Sequence, residues 1–169
     1  MEESNINRQI IALNSTIGRD KVDVFEERIK DINNNCKVIK IKEFIKEENI
    51  SKLFDFSIDY FIDACDYVPT KKLIISECLK RKIPFISSMG TAKKLDPSKL
   101  EIIDIRKTKN DPLARLIRKY VKDNNIKEKV EVLSSTELPV KTDTLGSSAF
   151  VPASAGLLIA SYVVRQIIK

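Results

Sequence analysis

Histidine is absent from this 169-residue sequence, and glycine occurs only at Gly18, Gly90, Gly146 and Gly156. The first absence excludes catalysis by an imidazole base and most metal sites of the zinc-hydrolase kind. The second leaves no GxG anywhere, so no glycine-rich loop that cradles phosphate with backbone N–H groups is encoded. Cysteine is scarce too. Cys36, Cys65 and Cys78 stand in no CxxC spacing, which argues against a zinc ribbon and against a disulfide framework. None lies beside an evident base, so a thiol nucleophile is not expected. No apolar run reaches about 18 residues, so no membrane span is expected. The acidic, polar start is not that of a signal peptide. A soluble, cytoplasmic protein is the expectation.

What is present suffices for one sizeable core, with 43% hydrophobic residues, and one domain over residues 1–169 is the default at this length. Lysine and arginine number 30 against 24 acids, for a net charge of +6. That excess suits an anionic partner such as nucleic acid. No internal repeat or low-complexity linker interrupts the chain.

Strands and helices alternate along it. "RDKVDVFEERIKDI" (19–32) sets Val22, Phe25, Ile29 and Ile32 at helical spacing, and "NNN" (33–35) stops that helix. "KVIKIKEF" (37–44) alternates charged and apolar residues as a half-exposed strand does. "IDYFIDACD" (58–66) reads as a buried strand ending in acids. Pro69 suits the first turn of a helix running to about Arg81. "IPFISSMG" (83–90) and "KLEIIDIRK" (99–107) are further strands. "DPLARLIRKYVKDNN" (111–125) is a capped amphipathic helix, with Asp111 as N-cap, Pro112 at the first helical position, and Leu113, Leu116, Ile117 and Tyr120 inward. "VEVLSS" (130–135) is a last strand, and an apolar helix over 155–168 closes the chain. This order predicts an α/β fold with a mostly parallel sheet. In such sheets ligands gather at the carboxyl ends of strands, where Asp63, Asp66, Ser87, Ser88 and Gly90 fall.

Three features carry chemistry. Asp66 is placed either to hold magnesium and its triphosphate or to cap the following helix. Lys21 is placed to neutralise phosphate or to stand as a solvated surface lysine. Arg8, among Asn5, Asn7 and Gln9, offers a fixed fork for phosphate oxygens beside amides suited to a ribose or carboxylate, or else belongs to a polar N-terminal arm.

Taken in order, "SNINRQ", "GRDKV", "NNNCKV", "IDACD", "KIPFISSMG" and the small-residue closing helix resemble the ThiF/MoeB/HesA superfamily, the ubiquitin-activating-enzyme-like adenylating enzymes. "LEIIDIRKTKNDPLARLIRKYVK" and "VEVLSSTELP" resemble its branch of tRNA threonylcarbamoyladenosine dehydratases. The resemblance implies a Rossmann-like sheet flanked by helices, with a mixed C-terminal extension, and a nucleotide lying across it. It implies that Ser4, Asn5, Asn7 and Arg8 line ATP, that Lys21 and Arg8 meet its phosphates, that Asp66 holds magnesium through ATP, and that Tyr67 borders the adenine. Arg8 and Asp66 are then the catalytic residues. The activated group in this branch is the threonylcarbamoyl carboxyl of a modified tRNA adenosine, which cyclises with loss of water. No general base is essential to adenylation, so the lack of histidine is no objection.

The resemblance also marks departures. Family members begin with a strand, a Gly-rich loop, a helix and a second strand ending in an acid, and this sequence matches only the part of the family pattern downstream of that unit. The lost β-α-β unit is expected to leave the strand at 37–44 without its neighbour, so that it re-pairs beside 58–63, or a separate chain supplies the missing piece, or the molecule is poorly stable. A homodimer and tRNA are the expected partners, and basic residues Arg115, Arg118, Lys119 and Lys122 on the 111–125 helix are the candidate RNA contacts. Two other functions compete: a non-catalytic binding or dimerisation module of the same fold, favoured by the missing loop, and an activator of a ubiquitin-like sulfur carrier, disfavoured by the absent CxxC.

Overall fold

The computed structural model describes residues 1–144 and 146–169 and divides the chain into two compact units, Met1–Phe44 and Ile45–Lys169.

The first unit holds one helix, α1 (Lys21–Ile32), preceded by two short 3-10 turns. Thr16 fixes the second turn: its hydroxyl accepts from Leu13 N–H at 2.9 Å and donates to Ile11 O at 2.7 Å. The stripe expected on α1 is only partly realised. Val22 and Ile29 are half-buried, Phe25 is 45% and Ile32 75% exposed, and the buried residue is Val24, outside the expected set, because an apolar stripe is buried only where another element covers it. Residues 37–44 are a second correction. They form no strand and pair neither beside 58–63 nor elsewhere among the described residues. Alternation marks a strand only if a neighbour receives its N–H and C=O groups. Here the charged half of the pattern turns back on α1 instead. Lys40 and Lys42 both pair with Asp23, at 2.8 Å for Lys40, and hold its carboxyl below its usual range.

The second unit is an α/β fold. Its described sheet runs β1 (Phe61–Asp63), β2 (Phe85–Ser88), β4 (Glu131–Ser135), β3 (Leu100–Asp104) in spatial order. β1, β2 and β4 are parallel, and β3 is antiparallel to β4 with Ile102 opposite Leu133. The parallel strands alternate between two cores, as a period of two requires. Phe85 and Val132 face α2 (Val68–Arg81) and α3 (Pro112–Asp123), joining Ile74, Ile75, Cys78, Ile117 and Val121. Ile86 and Leu133 face α4 (Phe150–Ile167) and meet Ala155, Ile159 and Val163. Each such aliphatic side chain, fully buried, contributes about 1.5–3 kcal/mol.

The starts of α2 and α3 follow the sequence closely, whereas α4 begins at Phe150, five residues before the expected 155, because Val151 and Ala155 are already buried on the core side of the helix. Pro69 lies in the first turn of α2, and Asp111 caps α3 by accepting the Ala114 N–H at 3.0 Å. On α3 the inward set needs one change: Ile117 is fully buried, but Leu116 is 44% exposed, and Ala114 and Val121 are buried in its place. The 18-residue span of α4 is long and apolar enough, by length and composition, to cross a membrane, contrary to the expectation drawn from apolar run length. One face, with Ala155, Ile159 and Val163, packs on the sheet, and 22% of the span is buried.

Candidate functional site

The carboxyl ends of β1 and β2 are joined by a buried polar knot. Asp63, the last residue of β1, accepts from Lys71 Nζ at 2.7 Å and from Ser87 Oγ at 2.6 Å through the same oxygen. Its other oxygen accepts the Cys65 N–H at 3.0 Å. Lys71 Nζ also donates to Ser87 Oγ and to Ser88 O, each at 2.9 Å. The Asp63 and Lys71 side chains are wholly buried. Three ammonium protons thus meet three acceptors, which is the condition for burying such a charge. One strand end, its neighbour and the first turn of α2 are thereby tied together, and the short loop 64–67 is held between them.

That loop presents Asp66 to solvent and Tyr67 about half exposed. Asp66 does not cap α2. Tyr67 occupies the N-cap position, and no side chain makes the capping bond there. A single exposed carboxylate suits magnesium, which keeps most of its waters and is commonly bound by one or two carboxylates together with substrate phosphates. Cys65, in the same loop, has its thiol pushed up to about 12, first by burial and then by the charge of Asp63. It is a thiol, not a thiolate, at neutral pH.

In the first unit, Ser4, Asn5, Asn7 and Arg8 come together in one tight turn. Asn5 is buried, its side-chain oxygen accepting the Glu2 N–H at 3.3 Å and its carbonyl accepting the Gln9 N–H at 3.0 Å. Arg8 Nη1 donates to Ser4 O at 2.9 Å and to Asn7 Oδ1 at 2.8 Å. Among the described residues its Nε and Nη2 make no hydrogen bond, so one edge of the guanidinium remains for a phosphate. Lys21 is exposed at the first position of α1. Asn5 therefore shapes this turn, Arg8 is the donor it presents, and Asp66 and Tyr67 belong to the second unit.

The basic residues of α3 divide in two. Arg115 and Lys122 are exposed. Arg118 is half-buried and donates to Thr108 O at 3.0 Å and to the Thr108 hydroxyl. Lys119 pairs with Asp123 at 2.7 Å. Beside them lies a cleft of about 780 Å3 to which Arg106 and Lys127 add further positive charge.

Two lysines central to the second unit carry no signal that singles them out in the sequence. Lys71 reads there as half of a surface pair in "PTKKLII", and only its eight-residue spacing from Asp63 across a strand–helix turn hints at pairing. Lys94 is 2% exposed and donates to Ser135 O at 3.0 Å. In "GTAKKLDP" nothing separates it from Lys93.

Known proteins resemble the chain along nearly its whole length. The ThiF family matches residues 1–169. The tRNA threonylcarbamoyladenosine dehydratase of Bacillus subtilis is 42% identical over 185 aligned positions, covering 98% of this chain and 73% of the relative. Its Escherichia coli counterpart is 34% identical, covering 90% of this chain and 59% of that protein. The solved E. coli tRNA N6-threonylcarbamoyladenosine dehydratase in complex with ATP superposes with a TM-score of 0.90 at 33% identity, over 97% of this chain and 70% of that one. The same enzyme in complex with AMP gives the same score. With a match that runs through every residue, the chain belongs to the ThiF family and is homologous to the tRNA threonylcarbamoyladenosine dehydratases.

Proposed function

We propose that this protein activates a carboxylate with ATP, and that the carboxylate is the threonylcarbamoyl group of a modified tRNA adenosine. The observation that carries the reading is the Asp63–Lys71–Ser87 knot, which holds Asp66 out to solvent at the carboxyl ends of β1 and β2. The homology to dehydratases, one of them solved with ATP, supports the choice of reaction.

In this reading the substrate carboxylate oxygen bonds to the α-phosphorus, and the bond from that phosphorus to the β-phosphate bridge breaks, releasing pyrophosphate. A nitrogen of the same side chain then closes on the acyl carbon and AMP departs with the former carboxylate oxygen, so water is lost overall. Arg8 and Lys21 meet the charge on the phosphates. By the family resemblance Asp66 would hold magnesium through ATP and Tyr67 would border the adenine, while Ser4, Asn5 and Asn7 shape the turn that presents Arg8. No zinc takes part. Because these 169 residues contain no GxG, the phosphate cradle comes from another segment or a separate chain. The protein is a ligase-type adenylating enzyme that works as a cytoplasmic homodimer, and tRNA docks on the exposed cations of α3. A non-catalytic binding module of the same fold is the second reading, favoured by the missing cradle. An activator of a sulfur carrier is disfavoured by the absence of CxxC.

The test is mass spectrometry of tRNA nucleosides after incubation with the protein, the family's glycine-rich segment, ATP and magnesium. The expected result is loss of one water from the threonylcarbamoyl adenosine only when ATP is present. An unchanged nucleoside under conditions in which ATP binds favours the non-catalytic reading.

A further inference from the structure

A second cleft lies beyond the carboxyl ends of β2 and β4. It measures about 750 Å3 and is lined by Gly90, Ala92, Lys94, Asp111, Leu113 and Val140 among others. Gly90 lies two residues beyond the end of β2, and Lys94 reaches the carbonyl of Ser135, the last residue of β4. The cleft therefore opens at the same end of the sheet as the loop of Asp66, which extends from β1, the strand paired with β2.

Lys94 is the unusual group in this cleft. It is almost wholly buried, yet among the described residues its ammonium makes one hydrogen bond, to a neutral carbonyl, and no ion pair within 4.0 Å. An ammonium carries three donors. Lys71, equally buried, has all three engaged and a carboxylate partner. A methionine or leucine would fill the space of Lys94 without the cost of desolvating a charge.

The nearest carboxylates are committed elsewhere. Asp111 accepts the Gly90 N–H at 2.9 Å and the Ala114 N–H at 3.0 Å, and Ser134 Oγ lies 3.5 Å away. Glu137 accepts the N–H groups of Leu95 and Asp96, at 3.0 Å. Both act on Lys94 through their charge without contacting it, while burial, the larger effect, lowers its pKa. At the amino terminus of α3, Pro112 has no N–H and Asp111 already takes that of Ala114. That leaves a buried cation with spare donors on the wall of a cleft where Leu113, Val140, Pro139 and Ala92 supply aliphatic surface and Lys93, Lys141, Thr142 and Asp143 supply polar and charged side chains.

We infer that this cleft receives the acidic end of the substrate, with Lys94 bonding a small aliphatic carboxylate. On the reading proposed above, on which this rests, that is the threonyl end of the modified adenosine. Its carboxylate meets Lys94, and its methyl group meets Leu113 and Val140. Lys94 is a specificity-determining residue that selects the acid before it is activated.

The test is a titration of the 15N-labelled protein with the free nucleoside N6-threonylcarbamoyladenosine and with its carboxyl methyl ester. The acid should shift the amides of Gly90, Lys94 and Leu113 and bind about tenfold or more tighter than the ester, the ratio expected for one charge-assisted hydrogen bond. Lys94→Met should abolish that preference, and Lys94→Arg should keep part of it. An unchanged amide spectrum elsewhere shows that Lys94→Met is folded. Equal binding of acid and ester, shifts outside the cleft, no binding of either, or a preference that survives Lys94→Met each overturn the inference. Displacement of the acid from these amides by ATP or inorganic phosphate overturns it too, by assigning the cleft to phosphate. Turnover separates this claim from the one beneath it. Acid bound in the cleft without ATP-dependent cyclisation removes only the adenylation reading. Cyclisation with an unchanged KM for tRNA in Lys94→Met removes only the role of Lys94.

Discussion

Asp63 and Lys71 face each other at 2.7 Å with no exposed side-chain surface on either. One belongs to the end of β1 and the other to the first turn of α2. Burying two charges is costly, and their attraction offsets the cost only because Ser87 and the Ser88 carbonyl complete the hydrogen bonds. The pair is therefore a constraint on geometry more than a source of stability. Removing one member should be severe, because it leaves the other charged and unpaired.

Lys71→Met is expected to lower unfolding free energy by about 3–5 kcal/mol, measured as a shift of the urea midpoint. That is a large part of a typical domain's stability. The double variant Asp63→Leu/Lys71→Met should be less destabilised than Lys71→Met alone. Additive losses would show that the two residues are not coupled.

Asp111 links α3 to Gly90, and the two positions should also be coupled. Asp111→Ala removes a cap and a charged acceptor and should cost about 1–3 kcal/mol. In Gly90→Ala the added methyl would sit 3.1 Å from Asp111 Oδ1, so the carboxylate must shift. A smaller loss is expected there, and it should largely vanish in the Asp111→Ala background. Thermal melts of the three variants decide this.

Alkaline pH should weaken the fold through two thiols. Burial raises Cys65 and Cys78 from an ordinary 9.0 to about 12. A group raised on folding contributes stability that is complete below its unfolded pKa and is lost as pH climbs through the folded one. The urea midpoint should thus stay level toward pH 9.0 and fall between there and about 12. Cys78→Ala should flatten that fall. At neutral pH neither thiol should react readily with iodoacetamide.

The basic face of α3 predicts a divided outcome. Arg115→Glu/Lys122→Glu should weaken tRNA binding and reduce the slope of log affinity against log salt by roughly 1–2 units, with the melting temperature unchanged. Arg118→Glu should instead destabilise the fold, since Arg118 holds the Thr108 carbonyl. Filter binding over a salt series measures the first and calorimetric melting the second. Undiminished tRNA binding by the double variant would move the RNA to another surface.

Local signals are readable where the chain itself enforces them. Pro69 and the Asp111–Pro112 pair mark helix starts because cap and ring chemistry act over one turn, and both helices lie where those residues put them. The parallel core is readable from the short apolar runs. Residues 37–44 mislead because a strand is a property of two segments, and alternation in one says nothing of its neighbour. Leu116 misleads because the covered arc of α3 is set by what packs on it, and that arc is centred on Ala114, Ile117 and Val121. Lys71 and Lys94 are invisible for the same reason. A lysine is buried only when distant residues supply acceptors, here Asp63 and Ser87 for one and Ser135 for the other.

That Arg8 and Asp66 serve ATP-dependent activation of the tRNA carboxylate is tested most directly by counting AMP released against cyclic nucleoside formed. The protein is supplied with the family's glycine-rich segment, magnesium and tRNA bearing threonylcarbamoyl adenosine. AMP and cyclic product should appear in equal amounts, and Arg8→Ala and Asp66→Ala should each abolish both while the protein stays folded. Cyclic product without AMP, ADP in its place, or unchanged turnover in either variant would contradict that assignment.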